Sequence, residues 1–198
     1  MPNRCPSRLL ILLAVPTFIA CGEEELDEAT RARVVTAGDS AATTLVQTLG
    51  GRLSAHMTEA GPRGAIAFCA GEAQALTDSV SRSLGTGWSV KRTTLRTRNP
   101  ANAPDSLEAE ALQEFRQADA TGEPPEHLVQ ATPAGDYRYY RPLRLGQMCL
   151  ECHGPRDALD PEVRTVLDER YPADQATGYA EGDFRGLVRV TVPREAVD

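Results

Sequence analysis

Lysine is almost missing from this chain: Lys91 is the only one among 21 basic residues. Aromatics are scarce as well, at 5% with a single tryptophan, and 28 acidic residues outnumber the basic ones. The resulting formal net charge of −7 excludes a general nucleic-acid binder, because phosphate backbones are held by basic surfaces. No apolar run reaches the roughly 20 residues that a spanning helix needs. The 198 residues, 41% of them hydrophobic, suffice for one ordinary domain and exclude a large multidomain enzyme. The lysine deficit itself carries no functional meaning, and no internal repeat is found.

What is present begins with a leader. Arg4 and Arg8 precede an apolar run, Leu9–Val15 and then Phe18-Ile19-Ala20, which Pro16 interrupts and Cys21 ends. Phe18-Ile19-Ala20-Cys21-Gly22 resembles a bacterial lipoprotein signal, in which Cys21 becomes the acylated first residue. Phe18 stands where leucine is usual, and a plain secretory signal cleaved near Ala20 is the alternative. Residues 1–20 are thus expected to be a signal peptide of lipoprotein type, 21–30 an acidic tether and 31–198 the folded domain. The protein is expected in the periplasm, held at the membrane by lipid without any spanning helix. Gly22 after the cysteine resembles the sorting default for the outer rather than the inner membrane.

Once Cys5 leaves with the leader and Cys21 takes lipid, Cys69, Cys149 and Cys152 remain, and three thiols cannot all pair. The last two sit in Cys149-Leu150-Glu151-Cys152-His153, the attachment signature of c-type haem. Two intervening residues put both sulfurs on one turn, facing the two vinyl edges of a porphyrin, and the next residue brings its imidazole beneath the metal. A chain with five cysteines and three histidines produces this pattern by chance about 0.002 times. Zinc would want four Cys or His ligands at close spacing, and no second Cys-x-x-Cys exists. A thioredoxin-like redox disulfide would sit between a strand and a helix, a context the flanking residues do not offer. One motif means one haem.

Coarse periodicity places the motif late in an α+β domain. Val34, Val35, Ala42, Leu45, Val46, Leu49, Leu53 and Met57 recur at helical spacing from Leu26 to about Ala60, with Gly38 and Gly50-Gly51 as possible breaks, so one long or two consecutive helices are expected, and Gly61-Pro62 ends that segment. A second helix is expected from Ala65 to Leu84, closed by Gly85. A strand over Trp88–Thr97 follows, then a turn at Asn99-Pro100 and a helix opened by Asp105 or Ser106, with Leu107, Ala111, Leu112 and Phe115 on one face. Period-two alternation predicts strands around Tyr137–Leu143 and Phe184–Val192. With few parallel crossovers available, the sheet is expected to be antiparallel.

Four stretches are similar to those of a known family. They are Ala65–Cys69, Arg96–Asp105 with its Arg98-Asn99-Pro100 turn, Cys149–Gly154, and Gly178–Gly186 with Gly178-Tyr179 and Gly182-Asp183. The family is that of single-haem c-type cytochromes with a PAS-like fold, first described from cyanobacteria as a domain of unknown function. The resemblance implies a PAS-like antiparallel sheet with long N-terminal helices packed against it and one covalently bound haem.

His153 would supply one side of the iron, and the other side needs a different segment. Met148 directly precedes Cys149, so it starts on the histidine side and is read as a core filler. Cys69, His56, Met57 and His127 are the contenders, and Cys69 resembles the position where the family places a thiolate opposite the histidine. Haem carboxylates need positive or hydrogen-bonding partners, for which Arg98 is taken before Arg96, Arg141 and Arg144. A Cys69–His153 haem would be a low-potential centre, suited to electron transfer or to redox or gas sensing, with a redox protein or a small diatomic ligand as partner. A haem enzyme with an open iron and a haem-stabilised structural subunit are the competing classes.

Overall fold

The computed structural model describes residues 26–198, so the signal peptide and Cys21 lie outside the described residues. Asp27 caps the first helix by accepting from the Thr30 amide at 3.0 Å. Helix α1 (Glu28–Gly71) then begins at once, so residues 28–30 of the segment expected as a tether are its first turn. Val34, Ala41, Ala42 and Leu45 form its buried stripe. At Ala60 and Gly61 the backbone leaves helical geometry, Gly61 with a φ of 63° that favours glycine, and Pro62 opens the next turn. The break expected at Gly61-Pro62 is therefore a kink inside α1. It turns the chain back far enough for His56 to stack on Phe68, with 5.0 Å between ring centroids. The helix expected over Ala65–Leu84 is divided at Glu72, which leaves α2 (Ala73–Ser83) as a separate element.

Strands β1 (Ser89–Thr93), β2 (Leu128–Ala131), β3 (Tyr137–Arg144) and β4 (Phe184–Val192) form one antiparallel sheet in the order β1-β4-β3-β2. β1 is shorter than the expected Trp88–Thr97. At Thr94 the ladder gives way to other partners, its amide donating to the Asn102 carbonyl and its hydroxyl to that of Arg185. The β2 strand, which periodicity did not reveal, pairs only with β3.

One face of the sheet, with Tyr137, Tyr139, Val188, Val190 and Val192, packs under α1 and α2. The opposite face, with Tyr140 and Leu187, packs on Ala111, Leu112 and Phe115 of α3 (Ser106–Thr121). The expected α+β class with an antiparallel sheet and N-terminal helices laid across it is the observed one. Among the described residues no helix is long and apolar enough to cross a membrane.

α1 lies very close to β3 at Gly38, where an added Cβ would fall inside the Tyr139 ring. Tyr139 is 2% exposed and donates its hydroxyl to Asp39 at 3.0 Å, so it has nowhere to retreat. Gly38→Ala is expected to destabilise the domain by about 1–3 kcal/mol through overpacking, read as a lower urea midpoint with an unchanged slope.

Two short elements complete the structure. α4 (Leu150–His153) carries the Cys-x-x-Cys-His motif after a 3-10 turn at Gln147–Cys149. α5 (Pro161–Arg170) lays Val163 and Leu167 against Ile66, in the part of α1 beyond its kink.

Candidate functional site

The thiols Cys69, Cys149 and Cys152 are free and face one cleft. Its walls come from α1 on both sides of the kink, β1, the turn after β1, the start of β4 and the Cys-x-x-Cys-His segment. Two adjoining cavities of about 150 and 240 Å³ share Leu53, Cys69, Arg92, Leu145, Cys149 and Arg185. The larger one is lined mainly by apolar side chains of α1 and the sheet, among them Leu45, Leu49 and Val188. Among the described residues no three His, Cys, Asp or Glu side chains converge closely enough to hold a metal ion. Donors thus line a common apolar cleft without closing on a single point, an arrangement that fits a large planar group better than zinc.

His153 is oriented by its Nδ1, which lies 2.6 Å from the Ala176 carbonyl. A proton on Nδ1 satisfies that carbonyl and leaves Nε2 as the metal-binding nitrogen, the usual outer arrangement of a ligating histidine. Burial, helped by the Arg98 and Arg185 cations, pushes its pKa down to about 3, so the imidazole is neutral as a ligand must be. Burial likewise pushes the Cys152 thiol up to about 11. It also raises Cys69, although Arg92 and Arg98 pull in the opposite direction. Tyr171 donates its hydroxyl to the Cys69 carbonyl at 3.3 Å, tying that turn of α1 to the end of α5.

A strap over residues 174–179 clamps the motif from outside. The Gly178 amide donates to the Gly154 carbonyl at 2.7 Å and that of Tyr179 to the His153 carbonyl at 3.0 Å. Arg98 is the pin of this clamp. It grips Asp174 through Nε at 3.1 Å and Nη2 at 3.0 Å, and the same Nη2 donates to the Cys152 and Ala176 carbonyls at 2.7 and 3.2 Å. Both charged side chains are nearly excluded from water, at 8% and 3% exposure, which makes this bidentate pair a strong one. Asp174 in turn accepts from the Ala176 amide at 2.8 Å, fixing the carbonyl that orients His153.

The other residues weighed from sequence are dispersed. Met57 lines the cleft, whereas His56 is stacked on Phe68, and His127 stacks on Tyr139 near β2. Met148, expected as a core filler, is instead 41% exposed at the cleft rim, because the turn Gln147–Cys149 carries it outward. Arg96 donates to the Gln175 and Thr177 carbonyls and lies over the Tyr179 ring at 4.0 Å. Arg141 reaches Thr43 and Asp39 away from the cleft, whereas Arg144 borders the larger cavity but is taken up by the Gly182 carbonyl and the Asp119 carboxylate. Three residues of the site were not singled out from sequence: Asp174, Arg92 and Arg185. Arg92 had a signal, since a charge two positions after the buried Val90 sits on the inward face of β1.

A family model described as Tll0287-like matches residues 23–193, most of the chain. The chain belongs to the Tll0287-like family. Its fold is similar to that in the crystal structure of the cyanobacterial heme-protein Tll0287, with a TM-score of 0.61 and 24% identity. That likeness covers 85% of this chain and 98% of the other. No curated protein matches the chain. For this Tll0287-like chain the cleft lies between α1, the sheet and the Cys-x-x-Cys-His helix.

Proposed function

We propose that this chain is a haem c protein, binding one haem covalently through Cys149 and Cys152 on a PAS-like sheet. It acts in low-potential electron transfer or in redox or gas sensing at the periplasmic membrane surface. The observation that carries the reading is the meeting of Cys69, Cys149, Cys152 and His153 on one apolar cleft. The family membership and the cyanobacterial heme-protein neighbour support it. Each thiol would add its sulfur and its proton across a vinyl double bond, a step that needs no oxidant. The haem would supply reversible one-electron chemistry.

The protein's own residues would do the rest. His153 presents Nε2, with its ring held by Ala176, Asp174 and Arg98. Cys69, from the other wall, would donate a thiolate and thereby favour the ferric state. Ile66, Leu145 and Leu53 line the cleft and would help exclude water from the group held there. Two side-chain donors leave no position for a substrate, which favours a carrier or sensor over an enzyme. Outside the described residues, Cys21 would hold the protein to the membrane, the outer one by its Gly22 signal, with no nucleic acid as partner.

Visible spectra of the full chain, produced in a host that matures c-type cytochromes, test this reading. A low-spin ferric spectrum of thiolate type, altered on reduction or by carbon monoxide and converted to another type by Cys69→Ala, is expected. A high-spin spectrum that Cys69→Ala leaves unchanged would overturn the thiolate assignment and favour catalysis at an open iron.

A further inference from the structure

Two guanidinium groups face the cleft without a carboxylate. Arg92 enters from the inward side of β1, and its Nε is cut off from solvent with no hydrogen-bond partner. Arg185, at the start of β4, donates Nη1 to the Thr94 hydroxyl at 2.7 Å and the Arg96 carbonyl at 3.1 Å, both neutral acceptors. The other two arginines of the cleft are neutralised, Arg98 by Asp174 and Arg144 by Asp119. Among the described residues neither Arg92 nor Arg185 forms an ion pair, although acidic side chains outnumber basic ones in the chain.

A half-buried charge without a counter-ion carries a desolvation cost, and two of them at one place cost more. Their neighbourhood shows what would complete them. Arg92, Arg185, Thr94, Asn102 and His153 line a side cavity of about 140 Å³ that opens beside the apolar cleft. An apolar body with two acidic groups at one edge matches this division. A planar porphyrin carrying two propionates has that form, and its two negative charges equal the two unpaired cations.

We propose that Arg92 and Arg185 form a two-carboxylate site that receives the haem propionates, with Arg98 reserved for positioning the Cys-x-x-Cys-His helix. This rests on the haem reading above and deepens it, because the family-like Arg98-Asn99-Pro100 turn had pointed to Arg98 for that task.

The test compares the full chain in two forms, haem-loaded and haem-free, the latter made in a host without the maturation system. Methionine keeps the unbranched stem of arginine, out to about its Nε, without the charged head. In the haem-free chain Arg92→Met and Arg185→Met are each expected to raise Tm by a few degrees, because an uncompensated, half-buried cation is removed. In the loaded chain the same substitutions are expected to lower Tm and to lower the midpoint potential, because an unneutralised propionate favours ferric iron. Arg92→Lys is expected to restore most of the potential. Shifts of the same sign in both forms, or an unchanged potential, overturn the proposal. Stabilisation of the haem-free chain by succinate that Arg92→Met abolishes, with the midpoint potential of the loaded chain unmoved by the same substitution, would assign the site to a free dicarboxylate and overturn the haem source. A native chain that takes no haem in the maturing host would overturn the haem reading itself, a failure visible before any arginine is changed.

Discussion

Serine at both Cys149 and Cys152 is expected to abolish covalent haem while leaving a folded chain. The two thiols are free and lie about one turn apart, Cys149 at the end of the 3-10 turn that leads into α4 and Cys152 within α4. Cys149 packs beside Leu145 and Tyr179, Cys152 beside Ile66 and Leu159, so each is a small filler at the edge of a different cluster. Exchanging a buried thiol for a hydroxyl costs about 1–3 kcal/mol. Most of a domain of this size survives that. Single variants, Cys149→Ser or Cys152→Ser, are expected to keep one thioether and to show the shifted absorption band of a haem with one remaining vinyl. Haem staining of a denaturing gel separates these cases, since only covalent haem stays with the chain. Persistence of stained haem in the double-serine chain would sink the attachment assignment, and loss of folding in both single variants would point instead to a structural role for these thiols.

The division between what was legible in the sequence and what was not follows the range of the interactions. Cys149, Cys152 and His153 stood out in the sequence because a haem-attachment signature is written within five consecutive residues, and the structure brings all three to one cleft. The kink at Gly61-Pro62 was legible because positive φ and a missing amide are properties of those residues alone. β2 was not, because Leu128–Ala131 is an edge strand of four residues whose only partner is β3. α5 carried a start signal, Asp160-Pro161-Glu162, with Asp160 accepting from the Glu162 amide at 2.7 Å. Its apolar stripe, Val163 and Leu167, was too short to register as periodic. The position of Arg98 at the cleft followed from the family motif, but its partner Asp174 lies 76 residues away, and no local pattern announces such a pair. Arg92 shows the converse: its inward position was readable by alternation, and its meaning emerged only once no anion was found beside it.

The largest expected loss of stability comes from Glu108→Ala. Glu108 is the third residue of α3, with a side chain wholly excluded from water. Its Oε2 accepts from Lys91 Nζ at 2.7 Å, from the Thr93 hydroxyl at 3.1 Å and from the Asp105 amide at 3.1 Å, completing a capping box. Its Oε1 accepts from Arg189 Nε at 3.0 Å. The single lysine of the chain is thus spent on this carboxylate, which bolts the start of α3 to β1 and β4. Alanine would leave two cations facing an unfilled space, an expected loss of about 3–5 kcal/mol, whereas Glu108→Gln keeps the shape and should cost less. Burial raises the pKa of Glu108, but hydrogen bonds from Lys91 and Arg189 outweigh it and hold the group below the ordinary glutamate value. Its folded pKa therefore lies under the unfolded value of about 4.3, so the stabilisation is complete above that value and is lost as pH falls through the folded pKa. Urea unfolding at neutral and at acid pH should show native protein and Glu108→Gln converging as the acid limb is descended. An unchanged urea midpoint for Glu108→Ala at neutral pH would refute the assignment. The consequence reaches the cleft, because Lys91 and Arg189 hold the same two strands that carry Arg92 and Arg185. A carboxylate buried on the α3 side of the sheet would then set how firmly two cations are presented to the cleft.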